Sequence, residues 1–584
     1  MNRKLINILI LLTTQAALPQ SQDEWITYFE RSGFTATPRY DNSMEYFQRL
    51  ADYSPWAEFE SFGISPQERE LKFLIVSKDK AFNPSDSKKI NKPIVLIING
   101  IHAGEIGGKD ASMLLLRDIL ITKEKESLID SVTLLVVPIF NVDGHERMSK
   151  YNRINQNGPE EMGWRTTAQN LNLNRDWMKA DAPEMRSMLK LFSGWLPDFI
   201  IDTHATDGAD YQYTVTYSVE KFSNIYSGTE NWLTEKFIPI LEKGVEEKGF
   251  LPHSYIYLKK WQEDLDGGII DWASTPRFST GYTALQNRPA LLIETHMIKP
   301  YKERVFSTKA MLETVLEFVS SNAKELIDLN LEADSVSVQN LFMQKKYLHV
   351  NFEESDRYSL INLKGFEYYR EFSEISGSNK LVYTNVKKDF KVKYYNDIVP
   401  IDSIQLPKGY LIPKEWGTIV DILKLHGVQV NSLKTDSTIE VTKYHFRNVE
   451  FANSSYEGRQ RVDLEYDLVK EQRMIPSGTF LISTNQRTAR VIANLLEPKS
   501  GDSFIRWGFM NSIFERKEYF ENYVMEKIAE GMLNKNVELR KDFETKLNVD
   551  EEFRNSPEER LKFFYTRSQY YDKNYQVYPV MRIE

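Results

Sequence analysis

Through the first half of the chain, short apolar runs alternate with segments of helical spacing. "ELKFLIVS" (70–77), "PIVLIIN" (93–99), "SVTLLVVPIFN" (131–141), "DFIIDTHAT" (198–206) and "ALLIETH" (290–296) predict strands. Between them, "DNSMEYFQRLADYS" places Met44, Phe47, Leu50 and Ala51 on one helical face, with Asp41 or Asn42 as cap. "GGKDASMLLLRDILI", "APEMRSMLKLFSGWL" and "NWLTEKFIPILEKGVEEKG" predict further helices, and another spans about 308–331. Near-continuous apolar strands alternating with helices imply a sheet covered on both faces. The predicted class is α/β, a mixed, mostly parallel sheet with helices on both faces, followed by a smaller β-rich domain.

That second part begins near 335. "KKYLHVNF", "KLVYTNV", "FKVKYYN", "STIEVTKYHF" and "GTFLIST" are short, alternating and aromatic, with "SGSN" and "NSSYEG" as turns. "WGTIVDILKLHG" and a tail from about 510 to 545 read as helical. The division is 1–21 signal peptide, 22–334 catalytic domain, and 335–584 β-rich accessory domain with a helical C-terminal tail. The signal reading rests on "MNRKLINILILLTTQAALPQSQDEW", two basic residues before an apolar stretch too short for a membrane span of about 20 residues. It predicts a secreted or periplasmic protein with no membrane span in the mature chain.

Composition adds exclusions. The 584 residues are 41% hydrophobic and 27% charged, ordinary for a folded protein, and the net charge of −9 argues against nucleic acid. With no cysteine, disulfides, thiolate metal sites and cysteine nucleophiles are ruled out. Oligomeric state is not legible.

Candidate chemistry gathers at strand ends, where open α/β sheets bind ligands. His102 and Glu105 follow "PIVLII", His204 closes "DFIIDTH", and Glu294 ends "ALLIETH". His102, Glu105 and His204 form the ligand set of a catalytic zinc site, one Zn2+ per chain, on a turn that brings residues three apart to one face. Glu294 remains as the proton acceptor for water.

In order and interval, "GIHAGE", "NVDG", "GWR", "NLNLNRDW", "DTH" and "LLIETH" resemble the zinc carboxypeptidases, peptidase family M14, over about 38–330. The resemblance implies a secreted metallocarboxypeptidase that hydrolyses C-terminal peptide bonds of peptides and proteins through a zinc-bound water activated by Glu294. It assigns Arg165 to polarising the scissile carbonyl, with Arg153 competing, and Asn174 and Arg175 to gripping the substrate's terminal carboxylate. Asn172 stands where the family often has Asp behind a metal histidine. The substrate-capping tyrosine is displaced. Counting back from "DGGIIDWA" reaches Glu263, so Tyr282 in "STGYTAL" is the alternative. Ile270 matches the position that sets side-chain preference and implies an apolar C-terminal residue. His349, His426 and His445 read as structural or surface residues. Competing readings are a zinc deacylase or amidase of small N-acyl amino acids or cell-wall peptides, and an inactive peptide-binding protein.

Overall fold

The computed structural model describes residues 22–222, 224–260 and 265–584; the signal segment and Glu263 lie outside them. In the first half the strands are β1 (Ala57–Ile64), β2 (Glu70–Val76), β3 (Ile94–Asn99), β4 (Thr133–Val137), β5 (Phe199–Thr206), β6 (Val215–Ser218), β7 (Pro252–Ser254), β8 (Tyr257–Leu258), β9 (Ile269–Ile270) and β10 (Ala290–His296). Eight of them form one sheet in the order β1-β2-β4-β3-β5-β10-β6-β7. The centre, β4-β3-β5-β10, is parallel, and the β1–β2 hairpin continues it antiparallel.

Every residue of β3 and β5 is buried. Alternation explains why the apolar runs are unbroken. Leu96, Ile98 and Ile200 enter the core on one face, while Val95, Ile97 and Ile201 enter that on the other. Helices Gly107–Leu120 and Tyr301–Ser321 cover the second face, and Pro183–Trp195 covers the first. The helix expected over 308–331 is two, Tyr301–Ser321 and Ala323–Val338, divided at Asn322. The opening helix, Tyr40–Tyr53, starts after Arg39 with no side-chain cap, rather than at Asp41 or Asn42.

The later strands are β11 (Leu348–Glu354), β12 (Ser359–Ser373), β13 (Ser378–Tyr395), β14 (Ile398–Ile404), β15 (Gly409–Ile412), β16 (Asn431–Ser432), β17 (Ser437–Phe451), β18 (Val462–Ile475), β19 (Phe480–Ser483) and β20 (Met581–Ile583). "KLVYTNV" and "FKVKYYN" belong to one long strand, β13, instead of two. Six strands form a sheet in the order β16-β19-β15-β20-β17-β18. The long β12–β13 hairpin extends the small β8–β9 pair, with β13 parallel to β9. The first-face core is continuous across the texture change at 335. Trp177, Met185 and Phe192 share it with Tyr410, Ile419 and Tyr444. Among the described residues no helix is long and apolar enough to cross a membrane.

Candidate active site

The chain leaves β3 through a turn in which the Glu105 N–H donates to the His102 carbonyl at 2.9 Å, and the helix begins only at Gly107. His102 and Glu105 therefore share a turn ahead of the helix. This turn packs against the "GWR" loop glycine to glycine. A Cβ on Gly104 would stand 2.7 Å from the Gly163 carbonyl, and one on Gly163 would stand 2.7 Å from that of Ala103.

His204 comes from β5, and Glu294 on β10 is its register partner in the parallel pair. All four side chains are buried. Glu105 Oε2 lies 3.2 Å from His102 Nδ1 and 3.0 Å from His204 Nδ1, and the potential ligand atoms lie within 4.8 Å of one another. The outer ring nitrogens are engaged elsewhere. His102 Nε2–H donates to Asn172 Oδ1 at 3.0 Å, and His204 Nε2–H to Asp202 Oδ2 at 3.0 Å. Asn172 Oδ1 also accepts the Asn174 N–H at 3.0 Å, which keeps the amide oxygen facing the ring. Both Nδ1 atoms are thereby directed inward beside one carboxylate, a donor set that fits zinc.

Arg153 and Arg165 both donate to Glu105 Oε1, at 2.7 and 3.0 Å. Burial disfavours a charged Glu105, but the neighbouring His102 and His204 imidazoles and Arg153 hold its carboxyl well below the usual range. Burial pushes His102 down to about 3, and nearby Arg165 and His204 act in the same direction. Burial also opposes protonation of His204, yet Asp202 and Glu105 on either side raise it well above its ordinary value. Loading a metal would therefore release a proton. Glu294 is only 8% exposed, and its Oε2 has no hydrogen-bond partner among the described residues. Burial pushes its carboxyl up to about 8, Glu105 and Asp202 add to this, and His204 and Arg165 oppose it.

These groups line a cavity of about 770 Å³ that also receives Asn174, Arg175 and Ile270. Asn174 Oδ1 accepts the Ser279 N–H at 2.9 Å. The Arg175 guanidinium lies 4.1 Å over the Phe278 ring and donates to the Asn174 carbonyl at 2.6 Å. It forms no ion pair among the described residues.

Tyr282 is not at the cavity. Its helix, Ser279–Leu285, turns the ring into the core, fully buried, where it stacks on Trp177 at 5.1 Å. Its hydroxyl accepts from Gln286 at 2.8 Å and lies 3.2 Å from His426, so a substrate-capping role is excluded by burial. Tyr255 and Tyr257 line the cavity instead, both edge-on to Trp272. Their signal is the alternation in "SYIYL", which puts two tyrosines on one side of buried Ile256. Asp202 was equally legible two residues before His204 on the same strand face.

Residues 43–308 match the family model described as zinc carboxypeptidase. Carboxypeptidase 2 of Trichophyton rubrum is 24% identical over 501 residues, covering 82% of this chain and 85% of that protein. Carboxypeptidase 2 of Trichophyton equinum is 23% identical over 497 residues, 81% and 84% of the two chains. Among solved structures, a metallo-carboxypeptidase from Burkholderia cenocepacia is similar at 18% identity and a TM-score of 0.36, over 49% of this chain and 70% of that one. Residues 43–308 thus match a zinc carboxypeptidase domain, and together with the similarity to carboxypeptidases over most of the chain they indicate a peptide hydrolase of the metallocarboxypeptidase kind.

Proposed function

We propose that this protein removes C-terminal residues from peptides, with His102, Glu105 and His204 holding zinc. The observation that carries the reading is Arg175, a guanidinium without an ion pair among the described residues, in the same cavity as the His–Glu–His cluster and Glu294. A fork of N–H donors suits a free carboxylate, and only an exopeptidase needs one there. Asn174, pinned by Ser279, supports the same end of the substrate.

When bound, zinc supplies Lewis acidity and makes a water acidic enough to lose its proton near neutral pH. Glu294 Oε2, buried and without a partner among the described residues, takes that proton and later returns it to the leaving amine. Arg165, with its side chain 40% exposed at the cavity, donates to the oxyanion as it develops, and Arg153 keeps Glu105 oriented. Ile270 and the Tyr255–Trp272–Tyr257 wall favour an apolar or aromatic C-terminal side chain. The segment Met1–Ser21 supports export to the periplasm or exterior, which the N-terminal residue of the mature protein would test.

The decisive comparison is a peptide with a free C-terminus against its amide. The free acid is expected to turn over at least about 10²-fold faster, since leaving a buried charge unpaired costs several kcal/mol. Arg175→Ala should lose most of that preference, and Arg175→Lys should fall between. Equal turnover of both peptides by the native enzyme would instead favour a deacylase or amidase using the same metal ligands and Glu294.

A further inference from the structure

The segment Arg277–Ser279 touches both residues of the carboxylate grip. The Arg175 guanidinium lies over the Phe278 ring at 4.1 Å. The Ser279 N–H donates to Asn174 Oδ1 at 2.9 Å, and the Ser279 hydroxyl donates at 2.6 Å to Asp202 Oδ2, the oxygen that faces His204. What fixes this segment comes from the C-terminal region. Asp502, in the turns after the helix Ala489–Leu496, is 2% exposed. Its Oδ2 accepts the Arg277 N–H at 3.2 Å, and its Oδ1 stands 2.8 Å from Arg277 Nε in an ion pair. Trp507 Nε1–H donates to the same Oδ1 at 3.1 Å, and the Arg277 guanidinium lies 5.0 Å over the Trp507 ring. One buried carboxylate thus holds both the backbone and the side chain of the residue that precedes Phe278.

We infer that Asp502 is a positioning residue for the substrate's terminal carboxylate, acting on Arg175 through Arg277 and Phe278. The inference rests on the reading that Arg175 receives that carboxylate. A two-pronged contact needs two guanidinium N–H groups aimed at once, so the plane of the guanidinium matters. The face of the Phe278 ring sets that plane. The ring stands one residue from the Arg277 amide, and Asp502 fixes that amide in place. A shift of the segment would also carry the Ser279 N–H away from Asn174, so both residues of the grip depend on the same anchor. Burying a carboxylate is costly unless its oxygens are engaged, and an apolar contact would fasten a loop at less cost. The paired charge gives Arg277 a single position, which an apolar contact does not.

Asp502→Asn keeps the size and one acceptor but drops the charge. With zinc fully loaded, it is expected to raise KM for a free-acid peptide by about tenfold, the worth of one charge-assisted hydrogen bond, with the larger part of the loss in KM and not kcat. The preference for free acid over amide should fall by the same factor. In an Arg175→Ala background, Asp502→Asn should change nothing further, because the two act as one unit. Arg277→Lys keeps a cation beside Asp502 without the Nε contact, so it should show a smaller loss of the same kind, and it decides the matter if Asp502→Asn fails to fold. Unaltered KM, equal losses on both peptides, or additive losses in the double variant would overturn the inference. If Arg175→Ala abolishes the preference while Asp502→Asn and Arg277→Lys leave it intact, the positioning role alone falls. If Arg175→Ala leaves the preference intact, the carboxylate reading falls and takes this inference with it.

Discussion

Glu294 keeps one carboxylate oxygen without a partner among the described residues in a buried place, a costly arrangement unless that oxygen has work to do. Glu294→Gln preserves shape but accepts no proton, so turnover should fall by about 10²–10⁴-fold with zinc retained, read by kinetics beside metal analysis. Asp202 places its charge behind His204, while His102 has an amide, Asn172, behind it. Asp202→Asn should weaken zinc binding by about 10–100-fold, measured against a competing chelator. Away from the site, Glu184 is fully buried, neither carboxylate oxygen has a partner in another of the described residues, and burial, helped by Asp143 and Asp176, pushes its carboxyl up to about 7. Its contribution to stability is present in full below the unfolded value near 4.5 and is lost as pH rises through 7. Glu184→Gln should then gain up to about 3 kcal/mol over the native chain at pH 8 and almost nothing at pH 4, by thermal unfolding at both pH values. The His102–Glu105–His204 cluster is legible because strand ends announce themselves through apolar runs. Tyr282 was misplaced because proximity to Glu294 along the chain says nothing of which way a short helix turns a ring.

At the scale of elements, the parallel centre of the sheet was legible because both faces of each strand are apolar, and that pattern survives any detail of packing. Strand β13 reads as two because its middle is polar, the β12–β13 ribbon having largely exposed faces and no core to mark its length. The helix Gly107–Leu120 begins two residues after Glu105 and meets the sheet without clearance. A Cβ on Gly108 would collide with Thr203 Oγ1 and Asn99 Oδ1. Gly108→Ala should therefore cost about 1–3 kcal/mol by denaturant unfolding and lower zinc content, since the helix can move out only by dragging Glu105 with it. Unchanged stability would show that the helix end yields freely.

For the whole molecule, the change of texture at 335 was readable, but not what it means, because alternating strands do not name the surface they will cover. The helix Ala323–Val338 runs through that point, and the core beneath the sheet is completed by Tyr410, Ile419 and Tyr444. A chain ending at 334 would expose Trp177 and Phe192, so it should be recovered as an aggregating, inactive species, whereas the full chain should unfold in a single calorimetric transition. Two separated transitions would contradict a common core. The pairing of Glu294 with His204 across β10 and β5 has a consequence for how such a protein can change. The spacing between Glu294 and His204 is set by the hydrogen-bonded ladder of the sheet, a ruler that neither residue's loop can stretch. Most of the chain between 207 and 289, which carries the aromatic wall and Ile270, hangs off that ruler at both ends. Substrate preference is thus free to drift, or be engineered by exchanging that length of chain, while the reaction keeps its alignment. A single residue lost from within β10 would do the reverse, turning Glu294 to the far side of the sheet with every loop intact.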